Sequence, residues 1–291
     1  MGTTDQPLVS ILLPARNAER TLVLALRSLL AQTYTQWELL VLDDGSTDRT
    51  AAIAKGFGDP RISVLGDGSW LGLAARLNQG IDTAGGSLLA RFDADDVAFP
   101  ERLALQVKFL QEHPDVDLVG SSAIVFDNAG RALGRFPAPL THAQICNRPW
   151  SGFHLPHPTW MGRIEWFRRY RYHLGQNRGA EDQDLLLRSY RESTFANLPQ
   201  ALIGYRQDAL SWKKFARGRV QWLRAALREA RLRGAWHAML GVPAVQLAKA
   251  CFETAAIASG MGRLLLRHRA MPLPDNERQE WDALWRTLHH S

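Results

Sequence analysis

The stretch Leu88-Leu-Ala-Arg-Phe-Asp-Ala-Asp-Asp96 decides the fold of this chain. Its apolar start, preceded by Gly86 and Ser87, predicts a buried strand, so the carboxylates that follow would lie at the carboxyl edge of a sheet, where open α/β sheets bind ligands. Asp93 and Asp95 are two residues apart and share a face of an extended backbone. Two hard oxygen ligands on one face suit Mg²⁺ or Mn²⁺ with substrate phosphates, and a solvated acidic turn is the alternative.

Apolar runs and helical patterns alternate on both sides of this stretch. Further strands are predicted at Val9–Leu13, Trp37–Leu42, Ile62–Leu65 and Leu118–Phe126, with helices between them, for example at about Leu73–Ala84 and Pro100–His113. This alternation predicts crossover units and an α/β fold with a mostly parallel sheet flanked by helices. After about Pro137 the alternation fades, and the Trp-, His- and Pro-rich stretch Trp150–Trp166 is typical of a pocket wall.

Acidic residues also follow the second predicted strand, at Asp43 and Asp44. The first turn reads Pro14-Ala-Arg-Asn17 and not a glycine-rich dinucleotide fingerprint, and the chain has no Gly-Lys-Ser/Thr loop. Another group must therefore hold substrate phosphates, and a metal at the acidic cluster is the natural substitute.

Charge and cysteine content limit where the protein works. The 291-residue chain has a net charge of +6, but residues 211–291 carry 14 Lys/Arg against 6 Asp/Glu, so the basic character belongs to the tail. The two cysteines, Cys146 and Cys251, form no disulfide framework, and no signal peptide is visible before Pro7. We expect a cytoplasmic protein, with the inner face of the cell membrane as a second possibility.

Four segments together resemble the family 2 glycosyltransferases, which have a GT-A fold, depend on nucleotide sugars and invert the anomeric centre. They are Val9-Ser-Ile-Leu-Leu-Pro-Ala-Arg-Asn17, Leu40-Val-Leu-Asp-Asp-Gly-Ser-Thr-Asp48, Leu88-Leu-Ala-Arg-Phe-Asp-Ala-Asp-Asp96 and Glu181-Asp-Gln-Asp-Leu-Leu-Leu-Arg188. The resemblance covers roughly residues 7–206. It implies a catalytic domain at 1–206, with a nucleotide-binding half to about 130 and an acceptor half after it, and a basic helical extension at 207–291.

The resemblance implies a role for each matching residue. Asp182 would be the catalytic base, and Glu181 and Arg206 would contact the acceptor or the diphosphate. Metal ligands would be Asp95 and Asp93, with Asp96 in reserve and His157 as a further candidate. The nucleotide contacts would come from Pro14, Ala15, Asn17, Asp44, Asn78 and Asp93. Mn²⁺ or Mg²⁺ is the implied cofactor, and UDP is the expected nucleotide, with dTDP and GDP possible.

Two positions depart from the family pattern or match it only partly. Arg76 lies one residue earlier than the arginine of many relatives, so it would point elsewhere on the helix and could be a surface residue. His157-Pro158 matches a His-Pro pair near the donor in some relatives, but buried histidines are often structural.

The tail predicts helices with two possible roles. Apolar residues recur every three or four positions between Ser211 and Gly234, among eight Lys/Arg, so this stretch would be a basic amphipathic helix. Such a helix suits an anionic membrane, or it could pack on the catalytic domain with its basic face in solvent. Trp236–Leu266 is too interrupted to span a bilayer and predicts an interfacial or dimer-forming pair of helices. Residues 211–266 are therefore the candidate contact with a membrane.

We expect the protein to transfer sugar to a hydroxyl of a glycan or lipid-linked acceptor during cell-surface or extracellular polysaccharide synthesis. The alternatives are a nucleotidyltransferase acting on sugar phosphates and a nucleic-acid-binding protein that uses the basic tail. Nucleic acid is not an expected partner, because the first 210 residues are slightly acidic.

Overall fold

A computed structural model of the chain describes residues 6–174, 179–207, 212–259 and 271–290. The first half alternates strands and helices as predicted. Its elements are β1 (Val9–Ala15), α1 (Leu22–Leu30), β2 (Trp37–Asp43), α2 (Thr50–Gly56), β3 (Ile62–Leu65), α3 (Leu73–Thr83) and β4 (Leu88–Arg91).

The second half is less regular and ends in long helices. It contains β5 (Val97–Ala98), α4 (Arg102–Glu112), β6 (Leu118–Phe126), β7 (Ala132–Arg135), α5 (His142–Ile145), β8 (Met161–Arg163), α6 (Ile164–Arg169), α7 (Glu181–Ser189) and β9 (Phe195–Arg206). The carboxyl-terminal part contains α8 (Trp212–Leu232), α9 (Trp236–Ala258) and α10 (Asp275–His290).

The strands form one mixed sheet in the order β3-β2-β1-β4-β8-β6-β9-β5, with β7 paired to β6. Strands β1 to β4 are parallel, as the sequence predicts for the nucleotide-binding half. In the other half β8 runs antiparallel to both β4 and β6, whereas β6 and β9 are parallel. The sheet is therefore parallel at one end and mixed at the other.

Strand β9 is a large element that the sequence analysis missed. It contains Pro199 and Gln200, which interrupt an otherwise apolar run. The register with β6 shifts at this point, from Ser121 opposite Leu198 to Ser122 opposite Ala201. Proline is tolerated in a strand at such a bulge because the ladder hydrogen bond is already absent there.

Alternating strand residues feed two apolar cores, one on each face of the sheet. Ile11 and Leu13 face the core that includes α1 and α4, while Leu12 faces the core that includes α3, α7 and α8. Because both faces of the central strands are covered by helices, the sheet presents its carboxyl edge, and not a face, to ligands.

The last helix packs against strands β6 and β9. Trp281 of α10 is fully buried against Phe126, with 4.7 Å between ring centroids, and its Nε1 donates to the Gly130 carbonyl at 2.8 Å. A Cβ on Gly204 of β9 would collide with the Trp281 ring, so the close approach depends on glycine. The predicted boundary at residue 206 stays a prediction, but α10 shares a core with residues before it.

Helix α8 also packs on an earlier part of the chain. Its residues Trp222, Ala226 and Ala230 are buried beside α7, and Arg228 forms an ion pair with Asp184. Of the two predicted roles, the structure shows the helix packed on the preceding part of the chain, against α7. Ser211, the side chains of residues 212–215 and residues 260–266 of the predicted tail lie outside the described residues. No helix in the described ranges is long and apolar enough to cross a bilayer.

Candidate active site

The acidic cluster lies directly after β4. One carboxylate oxygen from each of Asp93, Asp95 and Asp96 falls within 4.8 Å of the others, a grouping that could hold a metal ion. The Asp96 side chain is buried, and its Oδ1 accepts a hydrogen bond from the Arg206 backbone N–H at 2.9 Å. Its Oδ2 is buried without a hydrogen-bond partner among the described residues. That orphaned oxygen fits a divalent cation, as do the three carboxylates.

The electrostatics of the cluster also favour a cation. Although the Asp95 side chain reaches solvent, enclosure by the surrounding cleft raises its pKa to about 6, and the Asp93 carboxylate adds to the rise. Burial, followed by the charges of Asp93 and Asp95, raises the pKa of Asp96 well above its usual range. Three carboxylates so close together repel one another, and a bound cation would relieve that repulsion.

Arg91, the last residue of β4, contacts the acidic cluster and was missed by sequence reasoning. Its side chain is buried and forms an ion pair with Asp93. Its positive charge also opposes the rise in pKa of Asp182 and Glu181, so it acts on both the cluster and the predicted base. A single arginine in an apolar run carries no spacing signal that would have identified it.

Beside the cluster is a cleft of about 470 Å³. Of the predicted site residues it brings together Pro14, Asn17, Asp93, Asp95 and Arg206, and its remaining lining residues are Arg16, Ala18, Arg20, Thr21, Ala94 and Asn128. Three arginines and two aspartates thus face one cavity, a charge pattern suited to a diphosphate with a cation.

Arg206 connects the cleft to the acidic cluster. Its Nε donates to the Asp95 carbonyl at 2.8 Å, and its Nη1 donates to Asn128 Oδ1 at 3.2 Å. The guanidinium lies over the Phe126 ring, 4.7 Å from the centroid. Arg206 is therefore held in place while lining the cavity, as its predicted contact with acceptor or diphosphate requires.

Asp44 lies under a loop formed by residues 66–72. Its Oδ1 accepts from the backbone N–H groups of Leu71 and Gly72 at 2.7 and 3.0 Å, and from Arg76 Nε at 3.3 Å. The carboxylate therefore shapes the loop beside the cleft. Its predicted hydrogen bond to the base or ribose stays a prediction.

The interpretation of Arg76 as a surface residue was wrong. Its side chain is 0% exposed, and it pairs with both Asp44 and Asp67. Arg76 is in the first turn of α3, and long helical side chains lean toward the helix amino terminus. The guanidinium therefore reaches back into the 66–72 loop, where its Nη2 also donates to the Ser69 carbonyl at 2.5 Å.

Asn17 joins two loops at the rim of the cleft. It adopts a left-handed conformation with φ of 51°, which asparagine tolerates better than most residues. Its backbone N–H donates to Ser46 Oγ at 3.0 Å, and its Oδ1 accepts from the Thr47 N–H at 2.8 Å. The side chain thus aligns the turn after β1 with the turn after β2. Ala15, also predicted to contact the nucleotide, is buried at the end of β1.

Asn78 and His157 both contact Tyr172 and are not part of the cluster. The Asn78 side chain donates to the Tyr172 carbonyl at 2.8 Å and accepts from its N–H at 3.0 Å. His157 Nε2 is 2.7 Å from the Tyr172 hydroxyl, and burial followed by the Arg91 charge lowers the His157 pKa well below its usual value. In this arrangement both residues support the wall of the site, and their predicted ligand contacts stay predictions.

The acids at the start of α7 divide into two kinds. Asp184 is buried and pairs with Arg188 and Arg228, so its charge is neutralised within the protein. Burial raises the pKa of both Glu181 and Asp182. The Asp182 carboxylate accepts a long hydrogen bond from Gln183 Nε2, at 3.3 Å, and a carboxylate has further acceptor capacity for a substrate proton.

Comparison with known proteins agrees with this geometry. Residues 10–171 match the family described as glycosyl transferase family 2. The chain belongs to that family. It is a glycosyltransferase, and family membership favours sugar transfer over the nucleotidyltransferase and nucleic-acid-binding alternatives.

Named relatives of this glycosyltransferase include bacterial proteins. It is 36% identical over 218 residues to the putative glycosyltransferase EpsE of Bacillus subtilis (strain 168), covering 72% of this chain and 76% of the relative. It is also 36% identical over 135 residues to a UDP-Glc:alpha-D-GlcNAc-diphosphoundecaprenol beta-1,3-glucosyltransferase, WfgD, of Escherichia coli. That match covers 46% of this chain and about half (53%) of WfgD.

Two solved structures share the GT-A fold. Residues 1–349 of S. aureus TarS, crystallised with UDP-GlcNAc, superpose with a TM-score of 0.59 at 20% identity, covering 75% of this chain and 66% of TarS 1–349. The mannosyltransferase PcManGT of Pyrobaculum calidifontis, in complex with GDP-Man and Mn²⁺, gives a TM-score of 0.59 at 17% identity, covering 98% and 86% of the two chains.

Proposed function

We propose that this glycosyltransferase inverts the anomeric centre, takes its sugar from a UDP-sugar, and transfers it to a hydroxyl of a glycan or lipid-linked acceptor for polysaccharide synthesis. One observation carries the proposal. Three carboxylates that could hold a cation, and the half-buried Asp182, whose pKa burial raises, lie close enough to the same buried arginine, Arg91, for its charge to act on both. A single inverting displacement needs a base for the attacking hydroxyl and positive charge for the leaving diphosphate, and it needs no covalent intermediate.

Asp182 has the properties of a general base. Its raised pKa makes its carboxylate a stronger proton acceptor than an ordinary aspartate, and its position in the first turn of α7 fixes its direction. It would accept the proton of the acceptor hydroxyl as that oxygen attacks the sugar carbon. Glu181, whose Oε1 accepts from the Gly179 N–H at 2.9 Å, would shape the acceptor side beside it.

The leaving group would lie at the other end of the site. Asp93, Asp95 and Asp96 would hold Mn²⁺ or Mg²⁺, and that ion would supply positive charge for the departing diphosphate. Arg206 lines the same cavity and would contact a diphosphate oxygen, while Arg91 would fix the direction of the Asp93 carboxylate. In this proposal the sugar would lie between the diphosphate and Asp182.

The choice of donor and acceptor rests on the named relatives. WfgD is named for a UDP-Glc donor and a diphosphoundecaprenol-linked acceptor, and TarS was crystallised with UDP-GlcNAc. PcManGT was crystallised with GDP-Man, so GDP is the first competitor to UDP.

A thermal-shift screen tests the donor. Each nucleotide sugar is added with and without Mn²⁺, and a ligand that binds only the folded state raises the melting temperature. We expect a metal-dependent rise with a UDP-sugar. A larger rise with a GDP-sugar, or equal rises with and without Mn²⁺, would contradict the assignment of the donor or of the metal.

Substitution of the base tests the mechanism. Asp182→Asn should keep the fold and the donor-induced thermal shift but lower transfer by about 10²–10⁴-fold, the range that general base catalysis supplies. The matched control is Asp115→Asn, an exposed aspartate in the turn before β6, which should keep full activity. NMR of the product linkage would show the inverted configuration, and activity retained in Asp182→Asn would overturn the base assignment.

A further inference from the structure

The outward face of α9 is apolar and open to solvent. Trp236, Leu240 and Leu247 have exposed fractions of 73%, 80% and 67%. Trp236, Leu240 and Leu247 recur at helical spacing, so they lie on one side of the helix. No described residue covers them.

The inward face of the same helix buries smaller apolar side chains than the outward face exposes. Toward α8 it buries Ala238, Val242 and Gln246, and the Gln246 carbonyl accepts from Arg219 Nη1 at 2.9 Å. A helix that packs on a protein normally buries its apolar side. Exposed apolar patches of this kind mark surfaces that contact a membrane or another protein.

The neighbouring helix contributes positive charge. Arg217, Arg224 and Arg231 of α8 are exposed and seven residues apart, so they form a row along one side of the helix. The acidic residue of this helix, Glu229, is buried and paired with Arg233, so it does not offset the row. Exposed arginines on one helix and an exposed apolar face on the helix packed against it complement anionic lipid headgroups above an acyl layer.

We propose that the α8–α9 hairpin docks on the surface of an anionic phospholipid bilayer, with Trp236, Leu240 and Leu247 entering the headgroup boundary. The sequence alone predicts membrane contact somewhere in residues 211–266, but the apolar side of α8 is buried against α7. The insertion therefore falls to α9, and α8 supplies the charge. A second copy of the chain fits less well, because a two-fold contact through this hairpin would bring two arginine rows together.

The proposal deepens the lipid-linked acceptor of the proposed function, since a docked hairpin would hold the cleft near the membrane where such acceptors reside. Its test reads lipid binding and not transfer. The docking surface can therefore fail while the transferase assignment stands, and the reverse also holds.

Vesicle flotation of the full chain tests the proposal. Phosphatidylcholine vesicles with phosphatidylglycerol should carry the protein, and phosphatidylcholine alone should carry much less. Replacing the three apolar residues, W236S/L240S/L247S, should abolish flotation. Replacing the row, R217Q/R224Q/R231Q, should lower partitioning by about a hundredfold and remove most of its salt dependence. The control L140S/L174S removes exposed leucines from the catalytic body and should float like the wild type.

Two results would overturn the proposal. One is flotation that the W236S/L240S/L247S variant retains, or that does not depend on anionic lipid. The other is a stable dimer, measured by light scattering without lipid, that the same variant converts to monomer, because the occupant of the face would then be a second copy. Circular dichroism of each variant shows that lost binding is not lost folding.

Discussion

Two groups of aspartates, each following a strand of the parallel half of the sheet, are treated in opposite ways by the fold. The carboxylates of the first group, Asp44 and Asp67, accept hydrogen bonds from backbone N–H groups and from Arg76. The Arg76 guanidinium, followed by Ser69, holds the pKa of Asp67 well below its usual range. After β4, burial and mutual repulsion raise the pKa values of Asp95 and Asp96. We call the first group complete, because its carboxylates have hydrogen-bond and ion-pair partners without a ligand. We call the second group deficient, because its carboxylates lack balancing positive charge.

The difference separates residues that support the shape of the site from residues suited to bind a ligand. Asp44 connects the end of β2 to the loop before α3, and Asn17 connects the first and second turns, so both set the shape of the rim. The acidic cluster has an orphaned oxygen and excess negative charge, a state that persists only where surrounding structure enforces it. Sites of this kind are where ligands and reacting groups are expected.

Removing one carboxylate from the deficient group should have the largest effect. Asp95→Asn should abolish the Mn²⁺-dependent thermal shift and lower transfer by roughly a hundredfold or more, because the cation loses a ligand and the diphosphate loses its charge partner. Asp67→Asn, which removes an aspartate from the complete group, is the matched control and should keep the metal response. If Asp95→Asn still responds to Mn²⁺, the metal site is elsewhere.

Breaking the complete group should cost stability. Arg76→Met leaves the buried Asp44 without its ion-pair partner and should lower the free energy of unfolding by about 3–5 kcal/mol, measured by urea denaturation. The control is Arg49→Met, which removes an exposed pair with Glu19 and should cost less than about 1 kcal/mol. Equal costs would mean that the pair with Asp44 contributes no more than a surface contact.

The pH dependence of transfer tests the raised pKa of Asp182. The base acts only when deprotonated, and burial raises its pKa, so kcat/KM should fall as pH decreases through a value above the usual aspartate pKa of about 3.9. The fall should approach tenfold per pH unit below that pKa. Circular dichroism over the same range separates this loss from acid unfolding. An acidic limb at or below the usual value would contradict the raised pKa.

The smallest expected effect is at Asn17. Asn17→Ala removes the acceptor for Thr47 N–H and places an alanine at a positive φ, which together should cost about 1–2 kcal/mol. Asn17→Gly removes the same hydrogen bond without the backbone strain and should cost less. If the two variants unfold at the same urea concentration, the left-handed conformation contributes nothing measurable.

The sequence predicts the parallel half of the fold well because its strands are continuous apolar runs. Strand β9 is hidden from the same reasoning, since Pro199 breaks its pattern at a bulge that only pairing with β6 reveals. The cluster at Asp93–Asp96 follows from position alone. Arg91 does not, because the burial of a lone charge depends on Asp93 and α7 meeting it in three dimensions.

Arg76 shows a different limit. Its position on the helix was read from the sequence correctly, but the reach of its side chain back to Asp44 depends on where α3 begins. The open face of α9 was also hidden, because a helix that is apolar all round gives no indication of which side will be left uncovered.

The packing of α10 limits which fragments and chimeras of this enzyme keep its site intact. Phe126 has the Arg206 guanidinium over its ring and also packs against Trp281 near the carboxyl terminus. The matched family segment ends at residue 171, before Asp182, Arg206 and Trp281. A fragment or chimera designed on that segment, or ended at residue 206, would lose the support beneath Arg206. The transplantable unit must therefore extend at least to Leu288, whose carbonyl accepts from Arg27 of α1 at 3.0 Å.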